Sequence, residues 1–395
     1  MSPPFPTTAI HPVLLAEGRR GGERLSVIAA DYGAYWEEHL KRCRQFIGSG
    51  AEGLRQRATA TVIGAGACRD IPLADLLRTF EVVRLVDIDA SSLDQTFQSV
   101  SDDPDLRSRA NRLDCQVWDA TDGRLGQLMA DTAAALTVAQ DLAEAMVAIT
   151  RLFGTAASAV PQPPAALQAD YVISSGVSSQ LIPAVQEVVR AGIGQRFQGA
   201  APGGDLADNY RRAEQRLRRA WLENHATLLQ RLCHPGGRVC WIDTVAEAPF
   251  WGNLVGDEFG AVLRSLEAYF QQVPFPPFAL SAVQAALRNA RTPDEFLAVP
   301  SQLIRRRLLH VEQGQELIAA ITDRVIELCP RAVAATIPGG LAAYCGDRLT
   351  TVVVPQDWRW YLKPDELAAL TVEACLLVPV DSGLAPGSRN DRPSI

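Results

Sequence analysis

The sequence predicts an α/β protein built on a mainly parallel sheet flanked by helices. Three observations carry that expectation. From Ala60 onward, short apolar runs of strand length alternate with amphipathic segments of helix length. The first apolar run passes straight into a Gly-x-Gly turn, and aspartates stand at the ends of the apolar runs that follow. Alternation at this pitch is the pattern of βαβ units joined by right-handed crossovers.

In chain order, residues 1–57 form a helical lead-in, because Tyr35, Leu40, Cys43, Phe46 and Ile47 recur at roughly helical spacing. "ATVIGAG" is the first strand with its turn, "LADLLRTF" a helix, "VVRLVDID" the second strand, "LDQTFQSV" a helix and "DCQVWDA" the third strand. Residues 124–153 read as helical through Leu125, Leu128, Met129, Leu142, Met146 and Ile149. After the proline-rich "VPQPPAAL", "ADYVISSGVSSQL" is a fourth strand running into a polar turn. A long charged helix, "DNYRRAEQRLRRAWLENHATLLQRL", follows, and Pro235, Gly236 and Gly237 turn the chain into a fifth strand at 238–243. The core is thus expected over 58–245. A helical cap over 246–345, with turns such as "VPFPPF", interrupts it late. Residues 346–383 return as strand, helix ("KPDELAAL", Pro364 near its start) and strand, beginning with "RLTTVVVP", and 384–395 form a disordered tail.

With 395 residues, 47% of them apolar and 21% charged, the chain is an ordinary globular protein long enough for two or three units. A net charge of −7 argues against a nucleic-acid partner, which usually demands a basic face, and favours a small-molecule ligand. The eight cysteines are scattered without CxxC or a Cys/His metal spacing, so reduced thiols and no metal are expected. No basic stretch leads into an apolar run at the start, and even "TAAALTVAQDLAEAMVAI" carries Gln140, Asp141 and Glu144. A cytoplasmic protein without a membrane partner is therefore expected, and a homodimer is compatible with the sequence.

Ligands of an open parallel sheet gather beyond the carboxyl ends of its strands. Those ends carry Gly64, Ala65 and Gly66 after strand one, Asp87, Ile88 and Asp89 after strand two, Asp119 and Ala120 after strand three, and Ser174, Ser175 and Gly176 after strand four. Glycines let a ligand approach the backbone, and an acid 21 residues beyond Gly66 can accept both hydroxyls of a ribose, so a nucleoside-containing ligand is expected. A dinucleotide fingerprint would place a third glycine where Arg69 stands, which weakens NAD or FAD.

In four stretches the chain resembles the class I S-adenosylmethionine-dependent methyltransferases, which have a Rossmann-like sheet. These are "TVIGAGA", "VRLVDID", "CQVWDATD" and "LLQRLCHPGGRVCWID", with "YLKPDELAALTVEACLLVPV" like a later helix and strand. The resemblance implies S-adenosylmethionine as cofactor, with Gly64 and Gly66 lining its methionine and ribose and Asp87 on the ribose hydroxyls. It further implies Asp119 at the adenine amino group with Ala120 beside it, Asp170 at a common acidic position, and Ser174 to Val177 facing the transferred methyl. Two departures stand out: Val62 replaces an acid expected two residues before the first glycine, and Cys68 replaces a further glycine. Asp70 is the candidate substitute for that acid, with Arg69 pairing the cofactor carboxylate; the alternative is that both residues brace the next helix.

Methyl transfer needs a general base only for a protonated nucleophile. "DYVISSGV" lacks the Asn/Asp-Pro-Pro-aromatic pattern of nucleobase N-methylation, so the implied acceptor is a small molecule methylated at oxygen, nitrogen or carbon. His225 and Tyr35 are the catalytic candidates, and Tyr32, Trp36, Trp358, Trp360 and Tyr361 could line an acceptor pocket or simply pack in a core. Three other readings stay open: an NAD(P)-dependent oxidoreductase, a transferase that moves a different group from the same cofactor, and a non-catalytic nucleoside-binding protein.

Overall fold

The computed structural model describes residues 10–157, 160–198, 202–248, 257–272, 334–363 and 368–380, with scattered positions between 280 and 327. The "VPFPPF" turn, Pro364 and the tail expected at 384–395 lie outside the described residues.

The parallel half of the sheet comprises β1 (Thr59–Ile63), β2 (Val82–Asp87), β3 (Leu113–Val117), β4 (Ala169–Ser175) and β5 (Cys233–Ala248). After β5 come the short β6 (Ala334–Ala335), then β7 (Leu349–Thr351), β8 (Gln356–Lys363) and β9 (Ala368–Pro379). The strands lie in the order β3-β2-β1-β4-β5-β9-β7, with β8 also paired to β9 and β6 to β5. β1 to β5 are mutually parallel, and β9 runs antiparallel to β5, β7 and β8. The protein therefore has a Rossmann-like α/β fold: the chain winds outward from β1 to β3, then returns to set β4 against the other edge of β1. That reversal opens a crevice beyond the carboxyl ends of β1 and β4, where ligands of such sheets bind.

Central strands covered on both faces are mostly apolar, and β4 buries six successive residues, 169–174, of which only Asp170 and Ser174 are polar and both are bonded. On one face lie α2 (Glu37–Ala51), α3 (Leu73–Thr79) and α4 (Ala90–Asp102), packing Phe46, Ile47, Leu76, Leu77 and Leu93 against the sheet. On the other lie α5 (Arg124–Val138), α6 (Leu142–Ala156), α7 (Ser178–Arg196) and α8 (Gly204–Leu232), with Met129, Met146, Leu181, Leu217 and Leu229 in the core. The helix starts follow local chemistry. Asp89 caps α4 by accepting from the Ser91 N–H, and Asp141 caps α6 by accepting from the Glu144 N–H. The lead-in is α1 (Pro12–Tyr32), with His11 as its N-cap and Pro12 at its first turn, joined to α2 by a 3₁₀ turn at Gly33–Trp36.

Four features differ from the sequence reading. The helical stretch 124–153 is two helices, because Asp141 caps a new one after Val138. The polar run after β4 opens α7, whose serines bond an acid on β5, instead of remaining a turn. The described residues of "KPDELAAL", Lys363 and 368–370, are strand, paired in the β8–β9 ladder in place of the expected helix. Only Leu349–Thr351 of "RLTTVVVP" pairs as strand, and Val352, Val353 and Val354 are exposed. One further helix, α9 (Asp257–Phe270), is described in the stretch read as a cap.

Candidate functional site

The turn after β1 is held by its own amides. The Gly64 and Ala65 N–H groups both donate to the Val86 carbonyl at 2.9 and 3.1 Å, and the Gly66 N–H donates to Asp87 Oδ2 at 2.8 Å. The Cys68 N–H closes back onto the Ala65 carbonyl at 2.8 Å. Gly64 has φ +70°, and a β-carbon there would fall 2.3 Å from Cγ2 of Val177. Gly66 has φ +47° with nothing within 4 Å of such a carbon. Cys68, where the sequence resemblance led to the expectation of a glycine, takes φ +52°, a left-handed conformation.

Asp87 ends β2 facing this turn. Its Oδ1 accepts from the Asp89 N–H at 2.9 Å, and burial, above all, raises its pKa above the ordinary carboxylate value. The Ile88 N–H also bears on this carboxylate, which still keeps lone-pair capacity for a ligand hydroxyl. Asp119, beyond β3, is more fully used: Oδ1 accepts from the Thr121 N–H and hydroxyl, both at 2.7 Å, and Oδ2 from the Gly123 N–H at 3.0 Å. Beyond β4, the Ser175 hydroxyl donates to Asp70 Oδ2, which ties the far end of the first turn to the switch point.

These groups share one cleft of about 2850 Å³. Gly64, Ala65, Gly66, Arg69, Asp70, Asp87, Ile88, Asp119, Ala120 and Ser175 all line it. α1 crosses its mouth, with Arg19 Nε 3.4 Å from Asp89 Oδ1 and Gly18 so close to Ile88 that a β-carbon would lie 2.7 Å from its Cδ1. Exposed Arg69 points toward this helix, its guanidinium 3.4 Å from the Ser26 hydroxyl.

Four expected residues stand elsewhere. Ser174 does not line the cleft, because strand alternation turns it to the opposite face, where its Oγ lies 2.9 Å from Nε2 of His225. His225 is buried beside Trp241, its pKa lowered to about 4 by desolvation, and borders a small cavity of about 30 Å³ that adjoins the cleft at Ala120, Thr121, Val177 and Leu181. Tyr35 packs edge-on to Tyr32, and its neighbour Trp36 is the residue that reaches the cleft. Asp170 sits at the amino end of the sheet, accepting from the Ala58 and Thr59 N–H groups at 2.8 and 3.1 Å and pairing with His234.

One cleft residue escaped the sequence reading. Asp243, in "WIDT", is buried and accepts from the Ser178 N–H at 2.7 Å, the Ser179 N–H at 3.2 Å and the Thr244 N–H at 2.9 Å. Burial, foremost, raises its pKa. The rule that singled out Asp87 and Asp119, an acid at a strand's carboxyl end, applies equally to this one. Among the described residues no cluster of metal-ligating side chains occurs and no helix is long and apolar enough to cross a membrane.

Solved structures similar to this chain include a SAM-dependent methyltransferase from Thiobacillus denitrificans in complex with S-adenosyl-L-homocysteine. It is 10% identical, over 85% of this chain and 91% of that one, with a TM-score of 0.27. Geranyl diphosphate methyltransferase in complex with SAM is likewise 10% identical, over 86% and 85% of the two chains, with a TM-score of 0.30. At such scores the likeness adds nothing to the strand order above. No protein-family model and no curated protein sequence matches the chain.

Proposed function

We propose that the protein is a methyltransferase that takes its methyl group from S-adenosylmethionine and passes it to a small-molecule acceptor in the same cleft. The observation that carries this reading is the wiring of the first turn. The amides of Gly64, Ala65, Gly66 and Cys68 are spent on Val86, Asp87 and Ala65, and α3 begins only at Leu73. A dinucleotide pyrophosphate needs free amides at a helix N-terminus next to the glycines. This turn offers a ligand an open glycine surface and a carboxylate instead, which favours a nucleoside attached to a zwitterion.

The residues fit that cofactor. Open space over Gly66 leaves room for a ribose against the backbone, with the free lone pairs of Asp87 for its two hydroxyls. In this reading Asp119 and Ala120 would border the adenine, and Asp70, which accepts from the Ser175 hydroxyl, would meet the ammonium group. Arg69 is the candidate for the cofactor's carboxylate. When bound, S-adenosylmethionine supplies a sulfonium-borne methyl, displaced in line as the acceptor's lone pair bonds to carbon and the carbon–sulfur pair returns to sulfur. The chain's part is to align acceptor and methyl and to keep water away, which can account for much of the rate in such displacements. α1 over the mouth serves the second task. His225, facing Ser174 away from the cleft, is a structural residue in this reading.

The test is calorimetry on the full chain with S-adenosylhomocysteine, methylthioadenosine and NADH. S-adenosylhomocysteine is expected to bind most tightly, and Asp87→Ala to weaken it about 100-fold, the loss of two charge-assisted hydrogen bonds. Asp70→Asn is expected to weaken it about tenfold. Tighter binding of NADH, or an unchanged affinity in Asp87→Ala, overturns the reading.

A further inference from the structure

β5 does not stop where its parallel neighbour does. β4 ends at Ser175, paired with Ile242, but β5 continues to Ala248 with β9 beside it and β8 beyond. At about 3.3 Å per residue, the three strands project roughly 20 Å past the switch point as a wall, with the short β6 paired to β5 at Ala246 and Glu247. Cross-strand register fixes what the wall presents. Glu247, Leu370 and Trp360 form one row on a single face, and Thr244, Val372 and Trp358 form the row nearer the switch point. A bulge between Thr244 and Ala246 lets Glu247, in place of Ala246, fall on the cleft face.

α2 and the preceding 3₁₀ turn cover part of this wall with aromatic rings. The His39 ring stacks on Trp360 at 4.2 Å and 8°, and Trp36 meets Trp360 edge-on at 5.5 Å and 84°. Trp358 locks the arrangement from below, its indole N–H donating to Nδ1 of His39 at 3.0 Å. That bond leaves the His39 proton on Nε2, and burial lowers its pKa to about 3, so the aromatic wall carries no positive charge. Opposite Trp360, two strand spacings or about 10 Å across the Leu370 floor, stands Glu247. Trp36, His39, Trp360, Leu370 and Glu247 all line the large cleft.

From this geometry we infer that the wall is the acceptor subsite and that it selects a flat aromatic ring bearing a cationic amine, the ring against Trp36 and Trp360 and the amine toward Glu247. Indole faces attract both rings and cations, and a carboxylate at the opposite rim favours the cation over an anion of the same shape. The inference rests on the methyl-transfer reading for the word acceptor; the slot itself does not depend on the cofactor.

Two probes with the same phenol ring and opposite charge test it: tyramine and 3-(4-hydroxyphenyl)propionate, titrated into the full chain at pH 7.5 with and without saturating S-adenosylhomocysteine. Tyramine is expected to bind at least about tenfold more tightly. Trp360→Ala should weaken tyramine about tenfold, while Trp360→Phe, which keeps a ring and loses an indole N–H that has no partner, should stay within about threefold. Glu247→Gln should erase the preference between the probes. Each variant should bind S-adenosylhomocysteine as the unsubstituted chain does. Equal affinity for the two probes, binding of neither, or a preference that survives Glu247→Gln overturns the inference. If S-adenosylhomocysteine fails to bind while tyramine is preferred without it, the cofactor reading falls and the slot stands.

Discussion

Gly64→Ala separates two costs that usually come together. At φ +70° an L-residue suffers a backbone penalty of about 1–2 kcal/mol. The new methyl would also meet Cγ2 of Val177 at 2.3 Å, a contact that only movement can relieve, and overpacking of this kind costs about 1–3 kcal/mol. The expected total is about 2–5 kcal/mol. Gly66→Ala is the internal control: its φ of +47° carries the backbone penalty, but its methyl meets nothing within 4 Å, so about 1–2 kcal/mol is expected. Val177→Ala in the Gly64→Ala background removes the clashing methyl and should restore about 1–3 kcal/mol as a coupling energy, leaving the backbone term behind. Urea unfolding followed by tryptophan fluorescence measures these variants, the unsubstituted chain and Val177→Ala alone, which the coupling energy requires. Equal losses in Gly64→Ala and Gly66→Ala, or no rescue by Val177→Ala, would refute the steric account of the turn.

Cys68→Gly is expected to change stability by less than about 1 kcal/mol, because relief of the left-handed backbone offsets the extra freedom of the unfolded glycine, whereas Cys68→Val should cost about 2 kcal/mol or more; thermal melting distinguishes them. Asp243→Ala strips the acceptor from the Ser178, Ser179 and Thr244 amides, so a loss of about 3–5 kcal/mol in urea unfolding is expected, and a loss below 1 kcal/mol would show those amides satisfied some other way. His39 and His225 are held neutral by burial, with pKa values lowered from 6.5 to about 3 and about 4. Below pH 6.5 the unfolded chain binds more protons at these positions, so their contribution is whole above 6.5 and is lost as the pH falls toward 4, roughly 2 kcal/mol for each imidazole by pH 5. The raised pKa values of Asp87 and Asp243 act in the opposite sense, favouring the fold as they take up protons on acidification. Urea midpoints between pH 7.5 and 5 should therefore fall, and fall less steeply in His225→Gln; a flat profile would contradict the neutral, buried imidazoles.

The parallel half of the fold was legible because each strand is a short apolar run whose end is marked by a glycine or an acid, and such marks depend on local chemistry. The gathering of the glycine turn and the strand-end acids along one cleft was legible for the same reason, apart from Ser174, which sits one residue from Ser175 and so faces the other side of the sheet. What stayed hidden depends on partners distant in sequence. α7 reads as a polar turn until Asp243 is seen bonding its first amides. Strand pairing on β9 decides the conformation at Lys363 and 368–370, against a local preference for helix. Trp360 and Glu247 share a row only through the register of β5, β9 and β8, information that no single segment contains.

β9 is hydrogen-bonded along both edges, to β5 on one side and to β7 and β8 on the other, yet it is the last of the described strands to leave the ribosome. Until it emerges, β5 presents an unpaired edge over Val239–Ala248, and the sticky interval during synthesis is as long as the stretch between the two strands takes to translate. A chain cut before Ala368 would keep the glycine turn and every strand-end acid of the cleft and still be expected to aggregate, because the strand that completes the β5 edge is also the one that shields it from other copies.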